Sequence, residues 1–474
     1  MLSNRKKIQH LLWRSGFGVD RTTLLKLQDK PVNEVVDWLF NQSKREADLN
    51  VVAALGDRKK PDMMTREEKK ALFKANFQET SDLNLAWVNQ ISTTEQPLRE
   101  KMTLFWHGHF ACRSTIAFLT QQQNNTMRRM ALDKFSDLLM AVSKDPAMIQ
   151  FLNNQQNRKQ SPNENFAREV MELFTMGRGN YTEDDIKNAA RAFTGWAHDF
   201  TGQFVFRQMF HDYGDKTFLG NTGDYFGEDI INIILEKRAT ADFITKKAYK
   251  FFVSDTIDTD IQQQLAKQFF ESGYDTEKLM RTIFTSDWFY DEQNIGSKIK
   301  SPIELIAGIR KSIPLQVDDN KPVLYAQKIL GQILFYPPNV AGWPGGRAWI
   351  DSSSLMFRLK MPEYIFNAAE FEVTPKVDQD DIEEQMMMNS EQPYAAQRTV
   401  NKLNLAADWQ SYINSFSDVQ DKQVFNEVFD YLVQPLNCSV SAEMLQNYAN
   451  TGSREEYIKS ITVRLMSLPE YQMC

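Results

Sequence analysis

Five histidines occur in the 474-residue chain, and four of them, His107, His109, His198 and His211, fall between positions 107 and 211. Each stands beside another imidazole or a carboxylate: Trp106-His107-Gly108-His109-Phe110, His198-Asp199 and His211-Asp212. Imidazole with carboxylate is the ligand set of zinc, iron and manganese sites. His107, His109, His211 and Asp212 are therefore candidate ligands of one divalent metal (Zn, Fe or Mn). Side chains two apart on a helix diverge by about 200°, so His107 and His109 can share an ion only if Gly108 ends the helix or makes a strand-like turn. The competing reading is an aromatic-rich helix end whose imidazoles satisfy local carbonyls.

A second constellation lies in Asn163-Glu164-Asn165-Phe166-Ala167-Arg168-Glu169-Val170-Met171-Glu172-Leu173-Phe174. On a helix Phe166, Val170, Leu173 and Phe174 make a buried stripe, and Asn165, Glu169 and Glu172 span an arc of about 60° along its border. Such carboxylates can face a cleft as ligands or as acid and base. Glu169 and Glu172, with the neighbouring Arg168 cation, are the catalytic candidates, and Asn165 is a binding candidate. The structural alternative uses the same residues. Arg168 stands four from both Glu164 and Glu172 and can bridge them on a helix surface, while Glu164 fits a capping box opened by Ser161. Glu169, nearest the apolar stripe, needs a partner for its charge.

The loop Phe335-Tyr336-Pro337-Pro338-Asn339-Val340-Ala341-Gly342-Trp343-Pro344-Gly345-Gly346 is too rich in Pro and Gly for helix or central strand. Trp343 is too large an apolar surface to leave in water without a reason. It either plugs the body as a staple or, with Trp349, walls the cleft that holds His107 and Glu169. Other chemistries are excluded by what is missing. No Gly-x-Ser-x-Gly elbow exists, and no phosphate-loop or dinucleotide fingerprint, so no nucleotide cofactor is expected. With 55 basic and 62 acidic side chains, the formal charge of −7 argues against nucleic acid. Three widely spaced cysteines offer no disulfide framework.

The elements that must position these residues read as amphipathic helices. Apolar residues return at three- and four-residue intervals in Arg128 to Val142, Asp185 to Phe193, Leu265 to Phe270, Leu279 to Phe284 and Ile303 to Ile309. Thr182 with Asp185 and an acidic first turn marks another helix start. A mostly α, multi-helical body is predicted, with one small inserted β-hairpin near 203–219. There Gln203 to His211 alternates, His211 lies opposite the Phe face, and Lys216 to Leu219 can return as the partner strand. A helical core over 1–370, an acidic linker or flexible excursion over 371–397 and a helical C-terminal part over 398–474 packing on the core follow from composition. Ile458 to Tyr471 echoes Leu279 to Phe289 as a weak internal repeat. No apolar run approaches the roughly 18 residues of a membrane span, and the start is no secretory signal. A soluble cytoplasmic protein is the expectation.

Several segments together resemble the bacterial domain of unknown function 1800 family. They are His10-Leu11-Leu12-Trp13-Arg14-Ser15-Gly16-Phe17-Gly18, Pro97 to Phe110, Pro162 to Glu169, Ala192-Phe193-Thr194-Gly195-Trp196, His211-Asp212 through Lys216 to Gly220, Pro337 to Gly346, and Ser467-Leu468-Pro469-Glu470-Tyr471. The resemblance runs over nearly the whole chain. It implies no assigned activity; it does imply a partner of a sulfatase-like family and, by analogy, export together with that folded partner. Two functions stand as expectations. One is a metal-dependent hydrolase or oxidoreductase in which the His and carboxylate clusters converge on one cleft. The other is a non-catalytic helical binding or scaffold protein whose polar clusters hold helices in place.

Overall fold

In the computed structural model, residues 2–44, 48–56, 63–317, 321–366, 370–371, 401–402, 405–447 and 449–474 are described. The body is mostly α, as the apolar periodicity requires. Helices α1 (Asn4–Arg14), α2 (Arg21–Leu27), α3 (Val32–Gln42) and α4 (Arg66–Thr93) lead to α5 (Pro97–His109). Their starts follow capping chemistry: Ser3 and Asp20 accept from the backbone of α1 and α2, and Thr65 with Glu68 forms a reciprocal box on α4.

Helix α5 is the centre of the molecule, buried from Leu98 through His107. Its apolar residues join Trp87, Phe110 and Phe135 in one continuous core. Its charged residues are buried as well, and each ties α5 to a neighbour. Arg99 donates from Nε to the Ser43 carbonyl at 2.7 Å and from Nη1 to the Arg129 carbonyl at 2.8 Å. The Glu100 carboxylate accepts from Trp87 Nε1 at 2.8 Å, Gln90 Nε2 at 2.6 Å and Arg128 Nε at 2.9 Å. Lys101 pairs with Glu304 and donates to the Gly16 carbonyl at 2.8 Å. Buried charge is tolerated because it is satisfied.

Around α5 lie α6 (Ala117–Arg129), α7 (Phe135–Ser143), α8 (Pro146–Phe151), α9 (Asn165–Glu169), α10 (Glu183–Ala192), α11 (Gly227–Leu235), α12 (Arg238–Phe252), α13 (Thr259–Glu271), α14 (Thr276–Thr285) and α15 (Pro302–Ser312). Thr182 caps α10 in a box with Asp185, as its sequence predicts. The box expected at Ser161 and Glu164 does not form. Ser161 sits in an isolated bridge with Arg158, and α9 begins only at Asn165. There Asn157 Oδ1 accepts from Asn163 N, and Asn163 Oδ1 from Asn165 N.

The single hairpin expected near 203–219 is instead two. Strand β1 (Trp196–His198) pairs antiparallel with β2 (Phe204–Phe206), register Trp196 to Phe206, and β3 (Lys216–Phe218) pairs with β4 (Asn221–Gly223), register Lys216 to Gly223. Alternation stops at Phe206 because Gln208–Phe210 winds into a 3-10 turn, so the two halves of the predicted strand never run on to meet Lys216.

After α16 (Lys321–Leu330) and α17 (Ser352–Phe366) come α18 (Trp409–Asn414), α19 (Val424–Leu432), α20 (Ala442–Asn447) and α21 (Arg454–Met466). Residues 372–397 of the expected linker lie outside the described residues. The later helices touch the first ones directly: Arg5 pairs with Glu427 at 3.0 Å, Gln9 donates to the Asp430 carbonyl at 2.8 Å, and Tyr431 donates to the Val19 carbonyl at 2.9 Å. The echoed segments adopt the same form, α14 and α21 each ending in a 3-10 turn that buries an aromatic ring, Phe289 and Tyr471.

Candidate functional site

Helix α5 continues through Gly108 to His109, so the two imidazoles diverge. His107 turns toward the 335–346 loop. Its Nε2 accepts the Phe335 N–H at 3.2 Å, and its ring lies 5.1 Å from Trp87, 5.3 Å from Phe335 and 5.4 Å from Trp343. Burial, reinforced by Arg128, pushes its pKa down to about 3. His109 turns the other way. Its Nε2 donates to the Phe174 carbonyl at 3.1 Å while its Nδ1 accepts from Lys247 Nζ at 3.1 Å, which fixes a neutral tautomer. Burial and then Lys247 hold it well below the usual imidazole range, and burial lowers the Lys247 amine to about 8.

An acid-stability prediction follows. An unfolded imidazole titrates near about 6.5, so the unfolded chain takes up protons first as pH falls. Stability is intact above about pH 6.5 and is lost toward pH 3, by up to about 1.4 kcal/mol per pH unit for each fully shifted imidazole. Asp145, raised to about 7 by burial, acts in the opposite sense, losing stability as pH rises. His107→Gln separates the two, because its amide oxygen can accept the Phe335 N–H without titrating. Its melting temperature should fall less steeply than the parent's between pH 6.5 and 4; parallel profiles contradict the neutral-strut assignment.

The helix after α9 widens into a π-helical turn over Val170–Thr175, where Thr175 Oγ1 donates to the Val170 carbonyl at 2.6 Å. Lys247 takes the Leu173 carbonyl at 3.2 Å and His109 that of Phe174, so this turn is where α5, α12 and the α9 segment join. The change of pitch also undoes the predicted i, i+4 bridge. Arg168 pairs with Glu164 at 3.3 Å and with Glu183 at 2.9 Å, not with Glu172. Glu172 is held by Arg178 and by Tyr181, whose hydroxyl donates at 3.1 Å. Glu169 is half-buried, and among the described residues no hydrogen bond reaches its carboxylate. Burial and then Glu172 raise its pKa, with Arg168 and Arg178 opposing. Asn165 Nδ2 donates to the Leu152 carbonyl at 3.2 Å.

His211 is fully buried, although the strand alternation places it opposite the Phe face. The 3-10 turn after β2 swings it beneath the aromatics: its ring stacks on Phe226 at 4.5 Å and lies edge-on to Tyr213 at 4.8 Å. Its Nδ1 donates to the Thr194 carbonyl at 2.9 Å, and among the described residues its Nε2 has no hydrogen-bond partner. Asp212 is clamped by Arg191, Nε at 2.7 Å and Nη2 at 3.2 Å, which holds its carboxyl below the usual range. Lys216, also fully buried, reaches the Asp212 carbonyl at 2.5 Å and Asp224 at 3.0 Å.

Trp343 lies beside His107 and is half-buried. Its loop is seated by Gly342, whose φ of +76° is a left-handed value and whose α-carbon approaches so closely that a Cβ would stand 2.4 Å from the Gly108 carbonyl oxygen. Gly346 packs on Asp255, and buried Trp349 accepts from Ser354 Oγ at 3.1 Å through its carbonyl.

The predicted candidates thus occupy separate places: His107 with Trp343, His109 with the π turn, Glu169 with Glu172 beside it, and His211 with Asp212 at the hairpins. Among the described residues no group of three or more His, Cys, Asp or Glu side chains could hold a metal ion, so the predicted ligand set is not assembled. Lys247 and the Arg128–Glu100 pair were not singled out from sequence. A lysine on an amphipathic helix reads as a solvated face, and only its contact with His109 reveals its role. Glu100, inside the Pro97 to Phe110 motif, reads as an acidic first turn.

Residues 10–473 match the family model described as Protein of unknown function (DUF1800), and the chain belongs to that family. No curated protein and no solved structure matches it. No helix among the described residues is long and apolar enough to cross a membrane.

Proposed function

We propose that this chain is a helical binding protein that docks a folded partner through the 337–346 loop. The observation that carries the reading is the seating of that loop: Gly342 is pressed on the Gly108 carbonyl while Trp343, half-buried, stands against His107. A rigid Trp presents large contact area with little entropy left to lose on docking. The motif histidines support it, since His107, His109 and His211 each hold neighbouring elements together. The family resemblance makes a sulfatase-like protein the partner of choice. Co-expression with such a protein should give a complex that Trp343→Ala and the exposed-site variant Arg347→Glu both weaken at least about tenfold, a central aromatic anchor contributing about 2 kcal/mol or more. Trp343→Phe, which keeps the packing on His107, should retain most of the affinity. Equal capture by all variants overturns the docking site.

One observation favours a second reading, acid–base chemistry at Glu169, with Glu172 as its charged neighbour. It is the half-buried carboxyl raised by burial and by Glu172. In that case Glu169→Gln removes hydrolytic activity with the fold intact. In the binding reading Glu169→Gln leaves capture unchanged and slightly raises the melting temperature by relieving the repulsion.

A further inference from the structure

The largest motif left unused above is His10 to Gly18, which leads from the end of α1 to the start of α2. Gly18, with φ of +79°, packs so closely on the Trp13 ring that a Cβ would stand 2.9 Å from it. Gly16 likewise presses against Pro97. These approaches turn the chain away from α1 and leave a cavity of about 580 Å³ between α3, the end of α4, the start of α5 and the end of α15. That volume is typical of a small-molecule site. Its apolar walls include Leu12, Val19, Trp38, Pro314 and Leu315, and Lys311 supplies an ammonium.

Among the described residues of the cavity, Lys311 is the charge with the least direct compensation, with Asp20 acting on it through space. Asp20 caps α2, accepting from Thr23 N at 2.9 Å and Thr23 Oγ1 at 2.7 Å. Arg310 donates to Asn89 Oδ1 at 2.8 Å. Glu95 is exposed at the rim. Among the described residues the Lys311 ammonium makes one long hydrogen bond, 3.4 Å to the Thr94 carbonyl. An ammonium carries three donors, and a half-buried one with so few direct partners favours an anion beside it.

We propose that this cavity binds a small organic carboxylate, its carboxylate on Lys311 and its apolar body against Trp38 and Leu315. A monoanion matches Lys311, the under-used cation among the described residues of the cavity, whereas a phosphate dianion calls for several converging donors. Burial lowers the Lys311 amine to about 8, with Asp20 opposing, so the ammonium form that the ligand needs prevails below that pH.

The probe is octanoate, titrated calorimetrically into the purified full chain at pH 7, with octan-1-ol and inorganic phosphate as controls. Saturable one-to-one binding of octanoate is expected, weakened about tenfold or more in Lys311→Met as for loss of a charge-assisted hydrogen bond, with octan-1-ol binding unaffected by that change. In the parent protein, octanoate affinity should fall as pH rises above 8, a readout that needs no variant to fold. Absence of saturable octanoate binding at roughly 10 mM, well above a working small-molecule affinity, overturns the proposal. So does equal affinity in a folded Lys311→Met, an unchanged affinity above pH 8, or full competition by phosphate, which would make the cavity a simple anion trap. None of these results depends on Trp343 or on a protein partner.

Discussion

Replacing Glu100 by Ala should destabilise the protein by about 3–5 kcal/mol, because it strands a buried guanidinium. The Glu100 and Arg128 side chains are 2% and 1% exposed, their ion pair is 2.9 Å long, and the same carboxylate also satisfies Trp87 Nε1 and Gln90 Nε2. The gain from the pair itself is modest, since both charges had to leave water. The cost lies in breaking one side only. Chemical denaturation should therefore give a large fall in midpoint for Glu100→Ala, and a smaller one for the double change Glu100→Leu with Arg128→Met, which removes both charges. If the single variant loses less than about 1 kcal/mol, the range of an exposed pair, α5 is not the tie between helices that its contacts indicate.

The second large effect is expected at Gly342. An added methyl meets the Gly108 carbonyl oxygen at 2.4 Å and forces an L-residue to hold φ at +76°. Overpacking at about 1–3 kcal/mol and the left-handed backbone at about 1–2 kcal/mol together give a loss of about 2–5 kcal/mol for Gly342→Ala. Two neighbours serve as internal controls. Gly345→Ala has open space around its Cβ, but its φ of +72° with ψ of −176° lies in a region essentially reserved for glycine, so only a backbone cost of about 1–3 kcal/mol remains. Gly108→Ala, inside α5 with nothing within 4 Å of its Cβ, should gain about 0.5–1 kcal/mol from reduced backbone freedom in the unfolded chain. Measured midpoints should rank Gly108→Ala above the parent, then Gly345→Ala, then Gly342→Ala. Limited proteolysis should cut only the last of these within 337–346.

How far the sequence reveals this structure depends on the range of the interaction. The helical body was readable because a stripe of apolar residues at helical period needs no knowledge of what covers it, and the Thr182–Asp185 box because both partners lie within one turn. The strand reading of Gln203 to His211 failed where a local alternation met a 3-10 turn that the pattern does not encode. Arg168 to Glu172 failed because the helical spacing rule assumes 3.6 residues per turn, and the chain changes pitch at Val170. For His107 and His109 the divergence was legible from their spacing. What each ring meets was not, since Phe335, Phe174 and Lys247 arrive from segments between 65 and 228 residues away. The Trp343 loop was legible as neither helix nor central strand from its prolines and glycines, but its seat on Gly108 needed the fold.

The most direct test of the claim that the motif histidines are struts of a binding protein is the metal content of the purified chain. Elemental analysis after expression supplemented with zinc, iron and manganese should find less than roughly a tenth of an equivalent of each, since a tightly held ion needs a convergent ligand set that the described residues do not assemble. Near one equivalent of a single metal, retained through dialysis and lost in both His107→Gln and Glu169→Gln while those variants stay folded, would contradict it.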